Sequence, residues 1–150
     1  MGKATVILAL GLLTVSAAGC EPRRTDTGGP VVCTVVVDTP VKVEKANKMS
    51  GTVRYRCESP GAETLTLKLR LEKRDGEQWH SAVSRTFTLK GQETYAPGLK
   101  YQSRQIELNC AAGTYRTVVD WSRVSRKNTK GDNLVSGSMR DPCNPLIRLN

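Results

Sequence analysis

Residues 65–71 read Leu-Thr-Leu-Lys-Leu-Arg-Leu, so leucine alternates with a polar or basic residue along the whole segment. Successive side chains of a β-strand point to opposite faces, and the four leucines would therefore share one face. Antiparallel sheets commonly bury one face and expose the other to water. The alternation predicts a half-buried antiparallel strand at 65–71.

The same periodicity of two continues on both sides of this segment, and Gly, Pro or polar residues interrupt it at intervals of about ten residues. We predict strands over 33–37, 41–43, 53–57, 65–71, 78–90, 99–109 and 114–123, with a last short strand at 134–135. We predict turns at 47–51, 59–61, 74–77 and 91–98, and an exposed loop over the polar, basic segment 124–133.

Short strands at this spacing are typical of a sandwich of two packed sheets. The segment Gly113-Thr114-Tyr115 resembles the corner before the last strands of immunoglobulin-like domains. The Cys–Trp–Cys spacing of those domains is missing, because the first tryptophan after Cys57 is Trp79. We therefore predict an all-β fold, an immunoglobulin-like antiparallel β-sandwich of about seven strands, as an architecture.

The chain has five cysteines, an odd number, of which Cys20 stands apart near the N-terminus. The other four permit two disulfides in three connectivities, and they are Cys33, Cys57, Cys110 and Cys143. We favour Cys33–Cys57, between the buried faces of neighbouring strands, and Cys110–Cys143, which would tie down the C-terminal tail. A Cys33–Cys110 bridge between the two sheets remains open. No pair has CxxC spacing and there is one histidine, so we predict no metal site.

Residues 1–19 have the pattern of an export signal, which gives exported disulfides an oxidising environment. Lys3 precedes an apolar run over 6–15, which is about half the length that a transmembrane helix needs. Small residues follow, and Ala17-Ala18-Gly19-Cys20 resembles the lipobox of bacterial lipoproteins, although that family most often has Leu in place of Ala17. The resemblance implies that Cys20 carries a lipid and becomes the mature N-terminus. The alternative is an ordinary secretory signal that leaves Cys20 as a thiol.

These boundaries predict three regions: a signal peptide at 1–19, the lipidated cysteine with a flexible tether at 20–31, and the sandwich domain at 32–150. The tether is rich in Pro, Gly and Arg, and when fully extended it spans roughly 35 Å. Without the signal, 22 basic and 14 acidic side chains leave a charge of +8. This charge favours an anionic envelope polymer or membrane surface, and export argues against nucleic acid. The composition also resembles that of small exported proteins of high-GC Gram-positive bacteria.

A basic cluster is the main candidate for a docking patch, and it consists of Arg123, Arg126, Lys127 and Lys130. The simpler interpretation of this cluster is a solvated loop. Trp79 beside His80 is a second candidate, as an aromatic reader of sugar or peptide. The segment 139–142 beside Cys143 has the form of a disulfide-braced inhibitor loop.

Signals of catalysis are missing from the sequence. No GxSxG elbow surrounds a serine, His80 has no evident partner, and no phosphate-binding glycine loop or cofactor motif occurs. We therefore predict a non-enzymatic, membrane-tethered envelope lipoprotein that acts as a binding or structural module without a cofactor. The alternative is a secreted protease inhibitor or host or phage interaction factor, and an enzyme that uses carboxylates ranks third.

Overall fold

The computed structural model describes residues 28–144, so the signal segment and Cys20 lie outside the described residues. This part of the chain contains one 3-10 turn at Gly91–Glu93 and no helix long and apolar enough to cross a membrane. The strands are β1 (Cys33–Val37), β2 (Val41–Lys42), β3 (Lys48–Cys57), β4 (Thr64–Asp75), β5 (Gln78–Leu89), β6 (Gln102–Asn109), β7 (Thr114–Ser125), β8 (Asn128–Val135) and β9 (Met139–Arg140).

The strands form two antiparallel sheets. In sheet A, β3 is central, with β1 and β2 end to end along one edge and β6 along the other. In sheet B the order is β5-β4-β7, and β8 and β9 share the outer edge of β7. The predicted all-β sandwich is confirmed. The described residues contain nine strands, of which the two-residue β9 was not predicted.

The core lies between the two sheets, and the leucines of 65–71 are part of it, as predicted. All four leucines of 65–71 are fully buried, at 0% exposure, and face Val53 and Tyr55 of β3 in one apolar cluster. Tyr115 and Val119 of β7 join the same cluster. Because a buried Leu contributes roughly 1.5–3 kcal/mol by leaving water, β4 is the main source of apolar stabilisation in a chain with few aromatic residues.

The predicted turn at 47–51 is wrong, because β3 begins at Lys48. The chain turns before that residue, over 44–47. Gly51 lies within β3, at a point where side chains of the facing sheet come close to its backbone. A Cβ atom there would lie 2.8 Å from Cδ2 of Leu71 and 3.0 Å from Cγ2 of Thr117. Glycine in this strand therefore permits close packing of the sheets, which explains why a residue typical of turns misled the sequence prediction.

The predicted loop at 124–133 is also wrong, because β7 and β8 continue through it as a hairpin that turns at Arg126 and Lys127. These two residues have φ values of 49° and 60°. Positive φ at both central positions is the requirement of a type I′ turn, which matches the twist of the flanking strands. Asn-Gly is the usual signal for this turn, and two basic residues in its place concealed the hairpin.

Both favoured disulfides are present in the structure. Cys33 pairs with Cys57 directly across β1 and β3, and therefore lies within sheet A. Cys110, after β6, bonds to Cys143, after β9, and connects the C-terminal segment to the crossover between the sheets. Neither bridge is the Cys33–Cys110 alternative. Two such disulfides are typical of a protein from an oxidising, extracytoplasmic compartment.

Candidate functional site

One end of the sandwich, which we call the N-terminal pole, is formed by residues 28–32, 58–63, 90–101 and 126–127. The described chain enters here, since the backbone N–H of Val31 donates to Oγ of Ser125 over 3.0 Å. The guanidinium of Arg126, at the tip of the β7–β8 hairpin, donates to the carbonyl oxygen of Gly28. Gly28, the first described residue, therefore lies beside the tip of the β7–β8 hairpin.

Hydrogen bonds between its loops hold the N-terminal pole together. The buried hydroxyl of Thr94 accepts from the backbone N–H of Ala62 over 2.8 Å and donates to the carbonyl oxygen of Gly91 over 2.7 Å. A carboxylate oxygen of Glu63 accepts from the backbone N–H of Arg126 over 2.7 Å. Three separate loops are thus fixed to one another, and side chains on them have defined positions.

Two aliphatic side chains of this pole face solvent. Leu99 is 85% exposed and Val32 is 56% exposed, the two largest exposures among the large hydrophobic residues that stand out as exposed in the described chain. Lys100 is exposed directly beside Leu99, and Lys127 is exposed at the hairpin tip. Single exposed aliphatic side chains are common on protein surfaces, so the significance of Leu99 depends on its position at this pole.

A cleft of about 290 Å³ lies at the same pole, with Val32, Arg56, Glu58 and Tyr95 among its lining residues. The guanidinium of Arg56 donates to the carbonyl oxygen of Gly98 over 2.5 Å and therefore joins sheet A to the loop that carries Leu99. The cleft combines one cation, one anion and apolar walls, and its volume suits a small polar group rather than a large ligand.

The ring of Tyr101 stacks on two arginines of sheet A. Its centroid lies 5.1 Å from the guanidinium carbon of Arg56 and 5.6 Å from that of Arg54. Arg54 in turn forms a bidentate ion pair with Asp38, with N–O distances of 2.7 and 2.8 Å. This arrangement holds the C-terminal end of the Leu99 loop against the outer face of sheet A.

The structure changes the membership of the predicted basic patch. Arg123 is only 5% exposed, and its guanidinium donates to Oδ1 of Asn128 over 3.1 Å, so its inclusion in an exposed patch was wrong. Its side chain lies on the same face of β7 as Trp121 and Ser125, because alternate residues of a strand share a face and β7 extends to Ser125. Arg126, Lys127 and Lys130 remain exposed on the hairpin.

A charged network on the outer face of sheet B was not predicted. Glu72 accepts from Arg70 over 3.2 Å and from Arg116 over 2.8 Å, and Arg70 also bonds to Asp120. Asn133 of β8 donates to the other carboxylate oxygen of Asp120 over 2.5 Å. These groups come from three strands far apart in the sequence, and only their pairing in the sheet brings them together.

Asp120 gives this network a pH dependence. Burial by itself raises the pKa of the Asp120 carboxyl, but hydrogen bonds from Arg70 and Asn133, with the positive charges of Arg70 and Lys68, lower the pKa below its ordinary value. The resulting stabilisation is complete above about pH 4 and is lost as the pH falls through the lowered pKa. We expect Asp120→Asn to lose less stability on acidification than the unsubstituted protein, as measured by urea unfolding at neutral and acidic pH. An equal acid loss in both proteins would contradict this assignment.

The other sequence candidates lie apart from the N-terminal pole. Trp79 is half-buried, and the guanidinium of Arg116 covers its ring at 4.2 Å, so this indole face is not available to a sugar. His80 is exposed on β5 and pairs in register with Lys73. Arg140 is exposed on β9, which pairs with β7 at the opposite end from the hairpin tip.

Metal-ligating side chains do not cluster between residues 28 and 144. No group of three or more His, Cys, Asp or Glu side chains in this range is arranged to hold a metal ion. Comparison of the chain with known proteins found no matching family model and no matching curated protein.

Proposed function

We propose that this protein is a lipid-anchored envelope protein of a bacterium, exported by its N-terminal signal and acylated at Cys20. Its sandwich acts as a non-enzymatic binding or structural module held at the outer side of the cytoplasmic membrane. The Ala17-Ala18-Gly19-Cys20 motif supplies the acylation site, and the export signal precedes it.

The cysteine pairing carries this proposal. The chain has five cysteines, and four of them form the two disulfides of the domain. Cys20 therefore has no cysteine left in the chain to pair with, and it stands at the position where a lipoprotein signal places the acylated residue. An exported protein seldom retains a free thiol, and acylation accounts for the odd cysteine.

The intact mass of the mature protein from its native host, with and without reduction, tests the proposal. We expect a mass that begins at Cys20 with attached lipid and that rises on reduction by the hydrogens of two disulfides. A lipid-free mass that includes an unmodified Cys20, or that begins after Cys20, would overturn the anchor. A diffusible protein would then favour the alternative of a secreted inhibitor or interaction factor, in which the exposed Arg140 beside the Cys110–Cys143 bridge is the residue to test.

A further inference from the structure

We propose that the N-terminal pole is a membrane-contacting surface, and that Leu99 enters the interface of an anionic bilayer while the cations of this pole meet lipid headgroups. This inference rests on the proposed lipid anchor and adds to it a fixed orientation of the domain. Without such a contact, a tethered sandwich would tumble above the membrane and present all of its surfaces equally.

The position at which the chain enters the domain selects this pole. Cys20 and Gly28 are eight residues apart, so the anchor and the domain are separated by at most about 29 Å of extended chain. Gly28 lies against Arg126, and Val31 is buried beside Ser125. The loops around this entry point are therefore the part of the domain that stays closest to an anchored bilayer.

The side chains of the pole fit an interfacial contact. Leu99, 85% exposed, offers an apolar group for the headgroup boundary, and Val32 adds a second. The cations of the pole are Lys90, Lys100, Arg126 and Lys127, against the carboxylates of Glu58, Glu63 and Glu93.

Two of the three carboxylates are already engaged by backbone donors. Glu63 accepts from the N–H of Arg126 over 2.7 Å, and Glu93 accepts from the N–H of Lys90 over 3.0 Å. The segment before Gly28 adds no net charge, because Arg23 and Arg24 are balanced by Glu21 and Asp26. Each lysine or arginine near an anionic leaflet strengthens binding about fivefold. Four cations against three carboxylates leave the pole with a net charge of +1, which favours an anionic bilayer.

The loop that carries Leu99 is held in a defined shape. Gly98 has a φ of 60°, and the N–H of Lys100 donates to the carbonyl oxygen of Pro97 over 3.2 Å, which closes a tight turn at Gly98 and Leu99. Arg56 fixes the base of this turn through the carbonyl oxygen of Gly98. Leu99 is therefore presented with little ordering left to occur on binding.

The opposite pole provides a matched control. Val41 is 48% exposed on β2, with Lys42 and Lys45 close to it in the sequence, so its local chemistry resembles that of Leu99 beside Lys100. β2 pairs with the start of β3, however, whereas the chain enters the domain near the end of β3. If the anchor sets the orientation, Leu99 meets the bilayer and Val41 does not.

The test uses the lipidated protein, with its lipid checked by mass, in vesicles of phosphatidylcholine and phosphatidylglycerol with brominated acyl chains. Leu99→Trp and Val41→Trp each add one tryptophan to the native Trp79 and Trp121. We expect the fluorescence added by Leu99→Trp to be lost by quenching and that added by Val41→Trp to be retained. We also expect Lys100→Glu with Lys127→Glu to restore the fluorescence of Leu99→Trp, whereas Lys42→Glu with Lys45→Glu leaves it quenched.

The outcomes separate this inference from the proposed function. Lipidated protein in which Leu99→Trp and Val41→Trp are quenched equally, or not at all, would overturn the orientation and leave the anchor intact. Quenching of Val41→Trp alone would overturn it by placing the opposite pole at the bilayer. A protein that carries no lipid overturns the anchor, and the orientation with it.

Discussion

Gly61→Ala is expected to lower the free energy of unfolding by about 3 kcal/mol, among the largest effects of any single methyl group added to the domain. Gly61 has a φ of 97°, a conformation that residues with a Cβ atom rarely adopt. A Cβ there would collide with the carbonyl oxygen of Gly91 and would lie 2.9 Å from Oγ1 of Thr94. The backbone N–H of Gly91 donates to the carbonyl oxygen of Ala62 over 2.8 Å. Moving the Gly91 backbone away from the new methyl group would therefore break a hydrogen bond of the N-terminal pole.

Urea unfolding measures this loss, and Gly76→Ala provides the control. Gly76 also has a positive φ, 58°, but a Cβ built on it meets no atom within 4 Å. Its substitution is therefore expected to cost only backbone strain, about 1 kcal/mol. Equal losses in the two variants would show that the approach of Gly61 to Gly91 does not limit stability.

Leu69→Ala is expected to lower the free energy of unfolding by about 3 kcal/mol, because it removes buried methyl groups from the centre of the core and leaves a cavity. Leu69 is 0% exposed on β4, which pairs with β5 on one side and β7 on the other. Both neighbouring strands hold the backbone in place, so the site has little freedom to collapse around the smaller side chain.

Leu99→Ala is the matched control, since it makes the same chemical change on an 85% exposed side chain. We expect it to alter stability by no more than about 0.5 kcal/mol in urea unfolding. It also serves the membrane experiment, because a stable Leu99→Ala variant shows that this leucine is not needed for folding. A loss at Leu69 as small as that expected at Leu99 would contradict the assignment of 65–71 as the core strand, and a large loss at Leu99 would contradict its exposed position.

Local alternation was sufficient to predict the strands that carry the core. The leucines of 65–71, the Val53-Tyr55-Cys57 face and the Tyr115 strand all appear in the structure with the predicted faces buried. A period of two is a property of consecutive residues, so it is readable without knowledge of the partners. The favoured Cys33–Cys57 disulfide followed from the same faces, because Cys57 lies in phase with buried residues of β3 and Cys33 lies in phase with residues of β1 that are partly buried against the core.

Prediction failed where a residue's role depends on a distant neighbour. Gly51 was interpreted as a turn residue, yet it lies in β3. A glycine is needed there because Leu71 and Thr117 of the facing sheet leave no room for a side chain. Arg123 was placed in an exposed patch because its own neighbourhood is basic, but its guanidinium is taken up by Asn128 across the hairpin. Neither partner is visible in the local pattern.

The sequence by itself determined the two-residue alternation, the even set of four domain cysteines and the odd Cys20, because each depends only on residue type and spacing. The tertiary structure alone decided which loops share a pole. Leu99, Lys127 and Gly28 are separated by up to 99 positions in the chain, and they share one end of the sandwich because the crossover after β5 and the β7–β8 hairpin both end there. Strand pairing sets such neighbours through backbone hydrogen bonds and register, which act between segments and leave no local trace.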